Sequence, residues 1–393
     1  MQHSDNRPAA DLPSGDCADL MEQPLGIHSM ELRVVRLEQH EDFRSAIGMR
    51  SQRQALLVRL HARDGSFGIA ECSGRPDPYY NEEFLSGSLQ LLREFIAPLL
   101  DGSTSLAGLQ RALSRIRGWN FTRAAVLDAA FDLQRRRGIP DLLDRLPGER
   151  LEKVPAGISL GIFADPESAR KRINTAVSQG YRRIKLKLSP GMDRTVLEAA
   201  LQESAGREVS LDANGSFGED AMEQLVEFAN CVAMVEQPFA PDRLDLHAAL
   251  RCRLEGTRVC LDESIHSPGS LESALAIGAL DELNLKPGRV GGQAAAVSLL
   301  ERCRTLSLHC WVGGMFETGI GRLANLRYAA LLPDATAHDM GPSSRYFRQD
   351  ILQHPVLMDA DGLIDTGEGH PAVLDEQAIE RFTEHTEMLE AGQ

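Results

Sequence analysis

A Cys-x-x-Cys pair, a long apolar run and a surplus of positive charge are all missing from this chain of 393 residues. Its seven cysteines (Cys17, Cys72, Cys231, Cys252, Cys260, Cys303 and Cys310) are odd in number and scattered, mostly in or beside apolar segments. That usage suits reduced, buried thiols in a cytoplasmic protein. No stretch approaches the ~18–20 apolar residues that span a bilayer, so no membrane association is expected. With 42 Lys and Arg against 57 Asp and Glu, the formal net charge of −15 disfavours nucleic acid and anionic membranes as partners. The first 26 residues are polar, acidic and Pro-bearing, without the charged start and apolar core of a signal peptide. They are expected to form a disordered leader.

What is present is an ordinary globular composition, 42% hydrophobic and 25% charged. The length fits one barrel of about 250 residues plus a smaller domain. From Met30, MELRVVRLEQH, QALLVRLHARDG and SFGIAECSG alternate apolar and polar residues, with Asp64-Gly65 between the second and third. This predicts an antiparallel meander. Helical periodicity follows: FLSGSLQLLREFIAPLL sets Leu85, Leu89, Leu92, Phe95 and Ile96 on one face, and AAVLDAAFDLQRRRG continues it. Residues 27–148 are therefore expected to form an α+β domain, strands first, whose last helix leads onward.

After Pro147-Gly148, short runs rich in Val, Ile and Leu alternate with helical stretches of about 10–15 residues. The strand candidates are VPAGISLGI, RRIKLKL, EVSLDAN, VAMVEQPF, RVCLDESI, ELNLKPGRV, HCWVGG and, more weakly marked, TAHDM. The first intervening helix opens at Asp165-Pro166 and stops at Gly180. Eight such strands favour a closed parallel barrel over residues 149–393 rather than an open doubly wound sheet. No GxGxxG or GxxxxGK[ST] motif follows any of them, which argues against nucleotide binding.

Four of these strands end in an ionisable group: Asp212, Glu236, Asp262 and Lys286, at steps of 24, 26 and 24 residues. In RRIKLKL, alternation puts Ile184, Leu186 and Leu188 toward the helices of a barrel, and Lys185 and Lys187 into its interior. Alone, K-x-K more often marks an edge strand with a solvated lysine face, and a lone acid at a strand end more often caps a helix. In register across consecutive strands, they describe a site. Asp212, Glu236 and Asp262 suit Mg2+, with Mn2+ as a substitute, and the absence of His or Cys among these strand ends argues against zinc. Glu263 points to the opposite side by alternation and, like Gln237, is a candidate neighbour of the ligands. A divalent ion flanked by lysines suits removal of a proton α to a carboxylate, because the resulting enediolate needs positive charge at its oxygens. Lys185 and the metal supply the like-charge repulsion that favours a neutral base at Lys187, and Lys286 would face it across the cavity.

With these residues the chain resembles the enolase superfamily, whose sites pair Lys or His bases with Mg2+. The likeness runs from about residue 27 to residue 385 and implies an N-terminal α+β capping domain followed by a modified (β/α)7β TIM-type barrel, its C-terminal segment returning to the capping domain. Lys185/Lys187 with Lys286 resembles the muconate-lactonizing subgroup. A His–Asp pair of mandelate-racemase type is not offered, so His309 is read as structural. GGMFETGIGR (Gly313 to Arg322), LKPGRVGG (Leu285 to Gly292) and PDPYYNEE (Pro76 to Glu83) look like the o-succinylbenzoate synthases and N-succinylamino acid racemases, and Arg289 fits that branch. The resemblance implies that Ser159, Asn214, Gly314 and Met315 line the pocket, with Tyr79 or Tyr80 reaching in from the capping domain. It further implies a small carboxylate substrate, menaquinone-pathway dehydration or N-acylamino acid racemization, and a homo-oligomer. A non-catalytic barrel would usually have lost a ligand or a base, and none is missing. The polar leader and TGEGHPAVLDEQ near the C-terminus depart from the family pattern.

Overall fold

The computed structural model describes residues 21–45, 48–333 and 335–391, of which 41–45, 48–51 and 368 are described in backbone only. The three alternating segments form β1 (Ile27–Ser45), β2 (Gly48–Ala62) and β3 (Phe67–Cys72), paired antiparallel. Their alternation feeds two cores. Met30, Leu32, Val34, Leu56, Val58 and Leu60 join the main one, while Val35, Leu37, Ala55 and Leu57 pack with Phe347, Ile351 and Ile379 from the C-terminal segment. The expected turn at Asp64-Gly65 closes with Ala62 N donating to Ser66 O at 2.9 Å. Helix Asn120–Arg136 crosses β3 so closely that a Cβ on Gly68 would stand 2.0 Å from the Ala129 carbonyl oxygen, so this strand position requires glycine.

Two expectations about this half need correction. Leu92 and Ile96 are buried, but Phe95 is 59% exposed. Helix Leu85–Leu91 runs into a π-helical turn, Leu92–Ile96, whose extra residue per turn rotates Phe95 off the buried face. Of the leader expected over 1–26, residues 1–20 lie outside the described residues, whereas 21–26 are packed. Met21 and Leu25 are buried in the main core, Leu25 N donates to Thr104 O at 2.8 Å, and Glu22 pairs with Arg111.

A short β4 (Lys153–Pro155) precedes the barrel strands. These are β5 (Gly157–Leu160), β6 (Arg183–Lys187), β7 (Glu208–Asp212), β8 (Met234–Glu236), β9 (Arg258–Leu261), β10 (Glu282–Leu285) and β11 (His309–Val312), each parallel to the next. Helix Pro166–Ser178 starts where expected, with the Asp165 side chain accepting from Ser168 N at 2.8 Å. The expected eighth strand, TAHDM, is reduced to a single bridge between His338 and Ala156, because Gly341-Pro342 follows at once and proline has no N–H to offer. It still spans the gap: Gly157 N donates to His338 O and Asp339 N to Val312 O, which ties β5 to β11. β12 (Leu363–Asp365) pairs with β4, and β13 (Thr383–Glu390) returns to pair antiparallel with β1.

Cys72, Cys260, Cys303 and Cys310 are buried free thiols, Cys231 and Cys252 are exposed just beyond helix ends, and Cys17 lies outside the described residues. Among the described residues no helix is long and apolar enough to cross a membrane.

Glu83 ties the loop beyond β3 to a helix that reaches the barrel. Its carboxylate accepts from Phe121 N and Thr122 N, both at 2.9 Å, at the N-terminus of helix Asn120–Arg136. The same helix docks onto the barrel loops through Asn120 Nδ2, which donates to His266 O at 2.9 Å and Arg289 O at 2.7 Å. Replacing Glu83 by alanine is expected to cost about 2 kcal/mol in urea denaturation, at the upper end for a lost helix cap. Retained stability would show that the helix end does not need this carboxylate.

Candidate active site

The barrel register sets Lys187 beside Asp212 and Asp212 beside Glu236, while Asp262 stands one residue beyond β9. All three acids are buried. Lys187 Nζ donates to Asp212 Oδ2 and Asn214 Oδ1, both at 2.6 Å. Lys185 Nζ lies 2.6 Å from Glu236 Oε2 and 3.3 Å from Asp212 Oδ2, and also contacts Asp339. Lys286 Nζ donates to Asp262 Oδ2 at 2.8 Å, and Arg289 closes on the other Asp262 oxygen. The sequence-predicted acids and lysines are thus brought together in one ion-paired cluster.

Burial and mutual repulsion set the charge states. Burial, then the neighbouring Asp212, pushes Glu236 up from 4.5 to about 8. Burial, then Asp262, raises Glu263 to about 7. For Asp212 burial is outweighed by Lys187 and Lys185, and its carboxyl is held below the usual range. Asp262 is held low in the same way by Lys286 and Arg289. Burial opposes the charge on Lys286, but Asp262 wins and holds it firmly as a cation.

Of the two candidate tyrosines, Tyr79 is 71% exposed. Tyr80 is the one that reaches in: its hydroxyl donates to Asp262 Oδ1 at 3.0 Å, accepts from Lys286 Nζ at 3.3 Å, and its ring lies 4.9 Å from that ammonium. Ser159, Lys185, Lys187, Asp212, Lys286 and Gly314 line one cavity, and the buried Ser159 hydroxyl has no partner within the protein. Asn214, in left-handed backbone at φ 46°, bridges Lys187 to Glu263, with Nδ2 donating to Glu263 Oε1 at 3.0 Å. Glu263 is therefore turned toward the cluster, not away from it. Strand alternation stops at Asp262, because Gln237 Oε1 accepts from both Asp262 N and Ser264 N and draws the chain into a turn. Met315 is also corrected: it packs into the main core, and Phe316, in left-handed backbone at φ 64°, lines the cavity instead. Arg289 is buried against Asp262 and the carbonyls of Ile265 and Asn284. His309 is exposed at the opening residue of β11, at the other end of the strand from the Gly313-Gly314 turn.

Several contributors escaped the sequence reading. Asn284 Nδ2 donates to Glu236 Oε1 at 2.6 Å; it stands two residues before Lys286, so strand alternation alone would have found it. Asp339 touches Lys185, and its signal was an acid in the weakest strand candidate. Arg322, the last residue of the GGMFETGIGR motif, and Tyr346, which has no local signature, also line the cavity.

In donor chemistry the three carboxylates fit a hard divalent ion, and the Lys185 ammonium already stands where Glu236 and Asp212 need a cation. Among the described residues no three His, Cys, Asp or Glu side chains converge closely enough to coordinate one ion. Asp212 and Glu236 are paired to one set of lysines, and Asp262 to Lys286 and Arg289. Metal binding therefore has to release some of these ion pairs.

A model of the Enolase C-terminal domain-like family matches residues 168–378. An o-succinylbenzoate synthase of Geobacillus kaustophilus is 33% identical over 373 residues, covering 93% of this chain and 98% of that protein. An N-succinylamino acid racemase of Thermus thermophilus is 33% identical over 346 residues, covering 87% and 93%. The structure of an enolase superfamily member from Listeria innocua superposes with a TM-score of 0.85 at 29% identity, covering 93% of this chain and 99% of that one.

The elevated Glu236 gives a signed pH dependence. In metal-free protein the folded state keeps a proton on Glu236 that the unfolded chain gives up above about pH 4.5. Its contribution is complete below that pH and is lost as pH rises toward about 8. Denaturation midpoints across this window should fall with pH, fall less in Glu236→Gln, and fall less when Mg2+ is present. An unchanged slope in Glu236→Gln would remove Glu236 as the source.

Proposed function

The chain belongs to the enolase superfamily, in the branch of the o-succinylbenzoate synthases and N-succinylamino acid racemases, and we propose that it dehydrates 2-succinyl-6-hydroxy-2,4-cyclohexadiene-1-carboxylate to o-succinylbenzoate, a menaquinone-pathway step. The observation that carries this reading is that Lys187 and Lys286, from separate strands, line the same cavity as Asp212. Asp212, Glu236 and Asp262 would hold Mg2+, which supplies Lewis-acid stabilisation to the substrate carboxylate. Lys187 Nζ, oriented by Asp212 and Asn214, takes the α-proton. The C–H electron pair moves into the carboxylate as an enediolate, and its return expels the ring hydroxyl as hydroxide, so the net change is loss of water. Lys286 stays an ammonium throughout and offsets the developing negative charge. Its bonds to Asp262 and Tyr80 suit that fixed role.

The second reading is racemization of an N-succinylamino acid, with Lys187 and Lys286 exchanging proton donor and acceptor duties. It uses the same cavity but needs Lys286 to surrender its charge, which the Asp262 pair opposes. Lys187 is held by Asp212 in the same way, so the two lysine contacts serve either reading.

Lys187→Ala and Lys286→Ala are each expected to lower kcat by about 10²–10⁴-fold in dehydration followed by ultraviolet absorbance. Full turnover in both would end the assignment of the lysines. Turnover should also require Mg2+; persistence in excess chelator would end the assignment of the carboxylates. Chiral analysis of N-succinylphenylalanine in D2O separates the activities, since efficient inversion with α-deuterium incorporation would make this a racemase.

A further inference from the structure

We propose that Asp339 is a positioning residue that gives the Lys185 ammonium a seat of its own, so that Glu236 and Asp212 are free to take the divalent cation. The inference rests on the metal reading above and concerns a residue which that reading does not use.

Lys185 is one obstacle to metal binding in this cluster, as the cation that Glu236 and Asp212 share. Its ammonium is buried and has three N–H donors, and three carboxylates surround it: Asp339 in direct contact, Glu236 at 2.6 Å and Asp212 at 3.3 Å. Two of those three are wanted by the metal. A divalent ion and an ammonium compete for the same lone pairs and repel one another in a low-dielectric interior. Lys185 is buried, so an ammonium displaced from those two carboxylates needs another partner close by.

Asp339 is built for that part. Its other oxygen accepts from Arg183 Nη2 at 2.8 Å, which fixes the carboxylate independently of Lys185. The Arg183 guanidinium lies 4.0 Å from the Trp311 ring centre, and Lys185 Nζ lies 4.8 Å from the same ring. The backbone of Asp339 is pinned where the barrel closes, with its N–H donating to Val312 O at 3.1 Å. Arg183, Trp311 and Asp339 thus form a rigid anionic and aromatic seat that retains Lys185 when Glu236 and Asp212 turn to a metal. Glu236 keeps its other oxygen on Asn284, which holds that side chain close by.

The test is calorimetric titration of the full-length chain with Mg2+ alone, so that no turnover is involved. Asp339→Asn is expected to raise the Kd about tenfold or more, the usual scale for a residue supporting a metal's ligands. Lys185→Met should bind Mg2+ at least as tightly as the unmodified chain, and the double variant should match Lys185→Met. A merely structural Asp339 would weaken binding equally in both lysine backgrounds, and that result overturns the inference. So does an unchanged Kd in Asp339→Asn. If Asp339→Asn does not fold, Lys185→Met decides alone: weaker binding there means that Lys185 is no competitor and the inference fails. Absence of Mg2+ binding by the unmodified chain would overturn the metal reading and this inference together, whereas the other failures leave the metal reading standing.

Discussion

Three buried carboxylates at neighbouring strand ends are the constraint on which the rest of this molecule depends. Asp212, Glu236 and Asp262 sit at neighbouring strand ends because a parallel barrel stacks equivalent positions, and burial then makes their repulsion expensive. The structure meets this with cations from the same interior: Lys185 and Lys187 on one side, Lys286 and Arg289 on the other. Glu236 is buried beside Asp212, and burial and that neighbour push its carboxyl up in spite of Lys185. A cluster of this kind adds little stability compared with an apolar core of the same volume. Its retention makes sense as a charge arrangement that a divalent ion and an anionic substrate complete.

The capping sheet solves a related problem by different means. Glu71 on β3 is buried, pairs with Arg53 at 3.1 Å, and accepts from both Thr318 N and Thr318 Oγ1 at the start of helix Gly319–Ala329. Glu83 does the same at the start of helix Asn120–Arg136. Two acids of the capping elements are thus seated on helix N-termini, where exposed N–H groups and the helix dipole favour negative charge. These anchors frame the cavity. Glu83 fixes the loop that carries Tyr80 to Lys286, and Glu71 fixes the residue that follows Phe316 and Glu317 in the cavity wall.

The interplay of these two halves explains why the two candidate activities are hard to separate. Lys187 is held by Asp212 and Asn214 and Lys286 by Asp262 and Tyr80, so each lysine is oriented through a group that the proposed metal would use or that the capping loop supplies. A small change in how Asp262 divides itself between Lys286, Arg289 and the proposed metal would alter the charge on Lys286. Fixed cation and exchangeable base are two settings of one contact.

The gathering of the acids and lysines in one place was legible in the sequence because it depends on local rules. Strand alternation places Lys185 and Lys187 on one face, and the length of a strand–helix unit repeats the acids every 24 to 26 residues. The order of strands and the Asp64-Gly65 turn followed in the same way. Where local regularity ended, so did the reading. Phe95 turned outward through a π-helical turn, Glu263 turned inward once Gln237 pulled the chain out of its strand, and Phe316 took the cavity position expected of Met315. Asp339 lies far from Lys185 in the chain, and only barrel closure brings it to that ammonium. The sequence by itself therefore determined which charges enter the barrel and at what height. Which charge pairs with which was decided by the tertiary structure, because burial forces each ion to choose among partners that chain spacing does not reveal.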